Sequence, residues 1–316
     1  MTDQQERPDF GRRAALECMA WAGTGLIWTF AGGVPAARLI GSAAAAEETG
    51  LSFVHMSDSH VGFSKPANPD ALGTLNEAAG QIAAESAALP QRPAFVIHTG
   101  DITHLSKPGE FDDAVEALRA TRLDVHFVPG EHDLIDENNG EIYRQRFGKG
   151  TRGAGWYSFD QAGVHFIGLV NVVDLKAGGL GNLGAEQLAW LAEDLAGRPA
   201  SQPIVVFSHI PLWILYRDWG WGTQDGAQAL ALLARFGSVT VLNGHIHQLM
   251  QKVEGDVTFH TAMSTAFPQP APGSAPSPGP QLVPAAELRN LLGFSSLTLA
   301  HGRDKIAIVD RRLAQK

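Results

Sequence analysis

The sequence predicts an α/β protein whose buried parallel strands come first and whose antiparallel pairs come last. Short runs rich in Val, Ile and Phe alternate with amphipathic stretches carrying Ala and Leu, the pattern of strand–helix–strand units. Those runs are apolar almost throughout, as strands covered on both faces are. Beyond Gln248 the alternation stops and turn residues separate paired runs instead. The 316 residues, 44% of them apolar and 18% charged, can build a sizeable core.

The first 46 residues stand apart. Arg12 and Arg13 precede an uncharged stretch from Cys18 to Ala37, and "GSAAAAEE" follows with the small residues that suit a signal peptidase. Paired arginines before a weakly apolar, glycine-containing run resemble a twin-arginine export signal. Residues 1–46 are therefore expected to be cleaved near Ala46, leaving a periplasmic or secreted domain over 47–316 with no stable membrane insertion. An uncleaved anchor is the alternative, weakened by Gly23, Gly25, Gly32, Gly33 and Pro35. Cys18 is the sole cysteine, so the mature chain has no disulfide, thiolate ligand or Cys nucleophile.

Six strands are expected in order: "LSFVHMS" (51–57), "AFVIHT" (94–99), "VHFVP" (125–129), "VHFIGLV" (164–170), "PIVVFSH" (203–209) and "SVTVLNG" (238–244). Helical periodicity lies between them at 70–89, 109–121, 185–196 and 224–236. A hairpin is expected over 248–263, turning at Gly255-Asp256, and another in the tail, turning near Gly302-Arg303. "AFPQPAPGSAPSPGPQLVP" (266–284) is too rich in Pro, Gly and Ser to pack as an element and reads as a surface excursion.

Net charge is −9, which argues against a broad electrostatic grip on nucleic acid. "GLGNLG" (179–184) lacks the strand immediately before it that a dinucleotide site needs, and reads as a loop. No G-x-S-x-G elbow, P-loop or H-E-x-x-H is present.

Polar residues gather where strands end. "SDSH" follows the first strand, "TGD" the second and "PGEHD" the third; "SH" closes a later one and "NGHIH" follows the next. In open α/β sheets those carboxyl ends line the ligand crevice. Asp58, His60, Asp101, Glu131, His132, His209, His245 and His247 are thus expected to converge, with Gly100, Gly130 and Gly244 letting the backbone turn. His55, His98, His126, His165, His260 and His301 are read as structural. His104, close behind Asp101, is placed with the substrate-facing candidates.

The run "DSH … GD … GEHD … SH … GHIH" resembles the calcineurin-like metallophosphoesterase superfamily, over residues 51 to about 250. The resemblance implies a four-layer α/β/β/α sandwich of two mixed sheets around a dinuclear centre. It implies that Asp58, His60 and His247 hold one ion, that Asp101 bridges, and that His209, His245 and position 131 hold the second. His132 would face the substrate as proton donor or transition-state stabiliser. The implied reaction is hydrolysis of a small phosphomonoester or phosphodiester by a hydroxide shared between the ions. Nitrogen and oxygen ligands without sulfur suit Mn, Fe, Zn or Co, as two divalent or mixed-valence ions.

Position 131 departs from the usual pattern, which has Asn there. Glu131 either ligates the second ion, lowering the net charge of the site by one, or swings away. A charge-reduced site favours trivalent iron or a phosphodiester. A degraded second site would instead leave a non-catalytic binding scaffold. "PLWILYRDWGWGTQD" (211–225) is either a flap over a sheet edge or a wall of the cleft. As a wall, Tyr216, Trp219 or Trp221 would stack on the substrate and Arg217 would meet an anionic group.

Overall fold

Alternation along the strands divides the apolar side chains of residues 50–316 between an inner layer and two outer ones. The structure, a computed structural model, describes residues 25–31, 34–40, 50–89, 91–300 and 305–314. One sheet has five strands, in spatial order β13 (Ala307–Arg312), β12 (Gly293–Leu299), β3 (Leu51–Met56), β4 (Phe95–His98) and β5 (Asp124–Phe127). The other has six, in order β10 (Gln251–Glu254), β11 (Val257–Thr261), β9 (Val239–Asn243), β8 (Ile204–Phe207), β7 (Val164–Gly168) and β6 (Tyr157–Gln161). Strands β3–β4–β5 and β11–β9–β8–β7 run parallel, and antiparallel strands complete each sheet, so both are mixed.

Phe53, Phe95 and Ile97 of the first sheet meet Val164, Phe166, Val205, Phe207 and Leu242 of the second in the middle layer. Val54, Met56 and Val96 point the other way, toward α1 (Ala71–Ala88) and α2 (Pro108–Arg119), where Leu75, Ala78, Ile82, Phe111 and Leu118 cover them. The short helix α3 (Glu141–Phe147) adds Tyr143 to that layer. On the far side, α4 (Ala185–Leu195) and α5 (Gly226–Leu233) lay Leu191, Leu195 and Leu233 over Ile167, Val206 and Val241. Helix α6 (Ala285–Leu291) follows the excursion and buries Leu288 in the first helical layer. The result is a four-layer α/β/β/α sandwich.

Local chemistry sets the helix starts. The Asp70 carboxylate accepts the Gly73 N–H at 2.8 Å and caps α1. Pro108 opens α2, and Glu110 takes the Leu105 N–H at 2.8 Å. Each of the six expected strands ends one or two residues short of its expected run; Ser57, Thr99 and Ser208 follow the ends of β3, β4 and β8. The hairpin at Gly255-Asp256 forms between β10 and β11. The tail hairpin forms between β12 and β13, its turn lying outside the described residues. Strand β6 and helices α3 and α6 were not foreseen from the sequence. Among the described residues, 266–284 form no helix or strand.

Phe166 touches three rings, with centroids 5.4 Å from Phe53, 5.2 Å from Phe95 and 4.9 Å from Phe159. Phe166→Ala is expected to cost about 3–5 kcal/mol, read as a lower urea midpoint with an unchanged m-value.

Ahead of residue 50, β1 (Gly25–Ala31) pairs antiparallel with β2 (Val34–Ile40). Arg12, Arg13, Cys18 and Ala46, on which the export signal and its cleavage were read, lie outside the described residues. Among the described residues no helix is long and apolar enough to cross a membrane.

Candidate metal centre

Five loops leave the carboxyl ends of β3, β4, β5, β8 and β9, carrying Asp58 and His60, Asp101, Glu131 and His132, His209, and His245 and His247 respectively. Parallel order in each sheet brings these ends to one edge. Asp58, His60, Asp101, His245 and His247 have φ of 55°, 41°, 50°, 70° and 52°, a left-handed backbone that side chains other than glycine adopt at a cost. Gly100 is left-handed as well, at +95°. Gly130 is not: what requires glycine there is space, since a Cβ would lie 2.0 Å from Asp101 Oδ1.

Six of the eight side chains form two groups, with Asp101 between them. In the first, His247 Nε2 lies 3.2 Å from Asp58 Oδ1 and 3.2 Å from His60 Nε2. In the second, Glu131 sets Oε2 3.0 Å from His209 Nε2 and Oε1 3.0 Å from His245 Nδ1. Asp101 Oδ2 stands between them, 3.4 Å from His60 Nε2 and 3.5 Å from His209 Nε2. Asp58, His60 and His247 form one cluster able to hold a metal ion, and Glu131, His209 and His245 another. Glu131 therefore points into the second cluster.

The donor set fits metal ions. Glu131 Oε2 and His209 Nε2 face each other, sealed from solvent, yet neither has a hydrogen-bond partner among the described residues. Buried polar atoms left that way are costly, and a cation between them satisfies both. The far sides of two rings are already fixed: His209 Nδ1–H donates to the Thr99 carbonyl at 2.7 Å and His247 Nδ1–H to the Phe267 carbonyl at 2.6 Å. Both rings thus aim Nε2 inward, the arrangement that orients metal-ligating histidines. The two clusters, with Asp101 between them, suit a dinuclear centre.

Asp133 ties two of the loops together. Its carboxylate accepts N–H bonds from Ile102 (3.1 Å), Thr103 (2.9 Å) and Gly130 (2.9 Å), and the Thr103 hydroxyl as well. The His132 N–H donates to Asp101 Oδ1 at 2.9 Å, and its ring Nδ1–H donates to the His104 carbonyl at 2.8 Å.

With protons as the only cations, Asp58, Glu131 and His209 are held in their charged forms by their neighbours. Burial works to raise the Asp58 and Glu131 carboxyls, but the histidines beside them outweigh it and hold both well below the usual carboxylate range. Burial works to lower His209, but Asp101 and Glu131 raise it well above an ordinary imidazole. His60 is lowered, by burial first and then by His247 and His132. His209's raised pKa contributes stability that is full below about pH 6.5 and lost as pH rises through its folded value. Two bound ions would replace those protons. Chelator-stripped protein is therefore expected to melt lower as pH rises above about 6.5, while metal-replete protein gains about 2.7 kcal/mol at a hundredfold excess over Kd; thermal melts across pH, with and without chelator, check this.

A cavity of about 260 Å³ opens over the centre. His60, Asp101, Glu131, His132 and His245 line it, with Phe63, Lys65, His104, Trp219, Trp221, Phe267, Gln269 and residues 278–280. Trp219 and Trp221 also pack with Ile246, Met250 and Ala275, so the 211–225 segment and the Pro-rich excursion close over the cleft together. Tyr216 and Arg217 are not among the lining residues; Tyr216 packs edge-on against Trp219 at 5.2 Å. Phe63, Lys65, Phe267 and Gln269 were missed from sequence, because their signal is proximity through loops and no motif marks them.

Residues 51–249 match the family model for calcineurin-like phosphoesterases. A glycerophosphodiester phosphodiesterase, GpdQ, of Enterobacter lignolyticus is 26% identical over 237 residues, covering 70% of this chain and 79% of the relative. Purple acid phosphatase 23 of Arabidopsis thaliana is 30% identical over 131 residues, which is 38% of this chain and 27% of that protein. In fold, the chain resembles a dimetal phosphatase from Danio rerio at a TM-score of 0.60 and 15% identity, over 84% of this chain and 97% of that one. With its matched motifs spanning most of residues 50–316 and its two sheets stacked between helices, this chain belongs to the calcineurin-like phosphoesterase family.

Proposed function

We propose that the chain is an exported phosphoesterase that hydrolyses small phosphomonoesters or phosphodiesters at a two-ion site. The position of Asp101 Oδ2 between the two clusters, 3.4 Å from His60 and 3.5 Å from His209, carries this assignment. Asp58, His60 and His247 would hold the first ion and Glu131, His209 and His245 the second, with the Asp101 carboxylate available to both. When bound, the ions supply positive charge for the phosphoryl oxygens and activate the attacking water. His132, whose ring lines the cavity, donates a proton to the leaving oxygen. Trp219 and Trp221, both buried in the cavity wall, shield the reacting group from bulk water. Export rests on Arg12-Arg13 and the uncharged run behind them; N-terminal sequencing of secreted protein, expected to begin near Glu47, tests it.

Activity on bis-p-nitrophenyl phosphate, p-nitrophenyl phosphate, cyclic AMP and a glycerophosphodiester, each with Mn, Fe, Zn and Co, tests the reaction. The glycerophosphodiester is included because a relative bears that name. Turnover of any one supports the assignment; none, with about two ions bound per chain, overturns it. One ion or none in metal-replete protein favours the binding scaffold instead.

Glu131 is expected to weaken the second ion as a Lewis acid. Glu131→Asn should therefore change the metal preference and lower the pH optimum by on the order of one unit. A pH–rate profile with each metal reads both effects, and no change in either removes Glu131 from the ligand set.

A further inference from the structure

The chemistry above leaves unused the histidines buried behind the site. His98, the last residue of β4, has no exposed surface. Its Nδ1 accepts the Gly100 backbone N–H at 3.3 Å. That contact settles the tautomer, so Nε2–H donates to the Ser59 hydroxyl, 2.5 Å away. Ser59 stands between Asp58 and His60, and Gly100 immediately precedes Asp101. One ring therefore grips the two loops that carry three of the candidate ligands.

Those ligands need gripping. Asp58, His60 and Asp101 all have left-handed φ, a conformation that persists only where the surroundings over-determine it. Backbone bonds from Asp58 N to Gly100 O and from His60 N to Asp101 O, both 2.9 Å, already cross between the loops. His98 adds the side-chain tie beneath them. The same construction recurs one residue along: His55 Nε2 lies 3.0 Å from Thr99 Oγ1, and the Thr99 carbonyl receives His209 Nδ1–H. Buried imidazoles in a sandwich core cost desolvation, and here each is placed against a ligand-bearing loop.

We propose that His98 is a positioning residue for the metal centre, holding the Asp58–His60 and Asp101 loops in ligating geometry through Ser59 Oγ and Gly100 N. It rests on the two-ion assignment made above. The test is calorimetric titration of the chelator-stripped protein with Mn2+ for wild type, His98→Phe, His98→Gln and Ser59→Ala. Partners that orient ligands are typically worth 10–100-fold in metal affinity. His98→Phe is expected to weaken Mn2+ binding by about that factor, and Ser59→Ala in the same direction. A variant carrying both His98→Phe and Ser59→Ala should bind no more weakly than His98→Phe alone, because His98→Phe already removes the contact to Ser59. His98→Gln, whose amide nitrogen can stand where Nε2 does, should recover most of the loss. A merely structural role would lower the melting temperature of ion-free protein and leave the Mn2+ Kd alone.

Wild-type affinity in His98→Phe or Ser59→Ala, with wild type itself taking up about two ions, overturns the positioning role and spares the two-ion site. A wild type that takes up no Mn2+ overturns both. Should His98→Phe fail to fold, Ser59→Ala decides the question alone.

Discussion

Asp101→Asn is expected to lower kcat/KM by about a thousandfold and to reduce bound metal from two ions per chain to one or none. The carboxylate lies within 3.5 Å of a nitrogen from each cluster. Neutralising it removes the negative charge that both ions would share; a charge pair about 4 Å apart at an effective dielectric near 20 is worth about 4 kcal/mol, or about three powers of ten. Asparagine keeps the size and one ligating oxygen, so the loss reports charge. Elemental analysis and steady-state kinetics on the same preparation check it. Near-wild-type activity with two ions bound would remove Asp101 from its bridging role.

His132→Ala is expected to lower kcat by about 10²–10⁴-fold for an alkyl ester, the range for a lost general acid. For p-nitrophenyl esters the loss should be smaller, since p-nitrophenolate leaves without a proton. The pH dependence follows from the ring's surroundings. Burial works to lower its pKa, but Asp101, Glu131 and the His104 carbonyl outweigh that, and the net shift is upward. In ion-free protein the protonated ring therefore persists above its ordinary value near 6.5. In the metal-loaded enzyme kcat should fall as pH rises through the His132 pKa, and His132→Ala should lose that limb. Equal losses on alkyl and aryl esters would make His132 a charge stabiliser and remove its proton-donor role.

Much of the fold was legible because buried strands must be apolar on both faces, and an apolar run of four to seven residues bounded by polar ones is visible in any sequence. The antiparallel strand β6 was not visible, because "YSFDQ" sits at a sheet edge, half-exposed, and mixes Ser, Asp and Gln with its aromatics. Helices α3 and α6 have seven residues each, too few for a helical period to stand out. At the site, Asp58, His60, Asp101, His209, His245 and His247 could be named because each follows a strand end, and strand ends in parallel sheets share an edge. His98 and His55 could not: from sequence they are interior residues of apolar runs, and only the cross-strand contacts to Ser59 and Thr99 distinguish them from packing.

By itself, then, the order of residues determined which chemistry-bearing groups gather and at which edge, since period-two alternation and strand polarity are local properties of the backbone. Three matters depended on contacts between distant segments: that Glu131 points between His209 and His245, that the tryptophan segment and the Pro-rich excursion close over the cleft together, and that Tyr216 and Arg217 stay out of it. The physical reason is that loop conformation follows from what the loop packs against, and 211–225 and 266–284 pack against each other across forty residues of intervening chain.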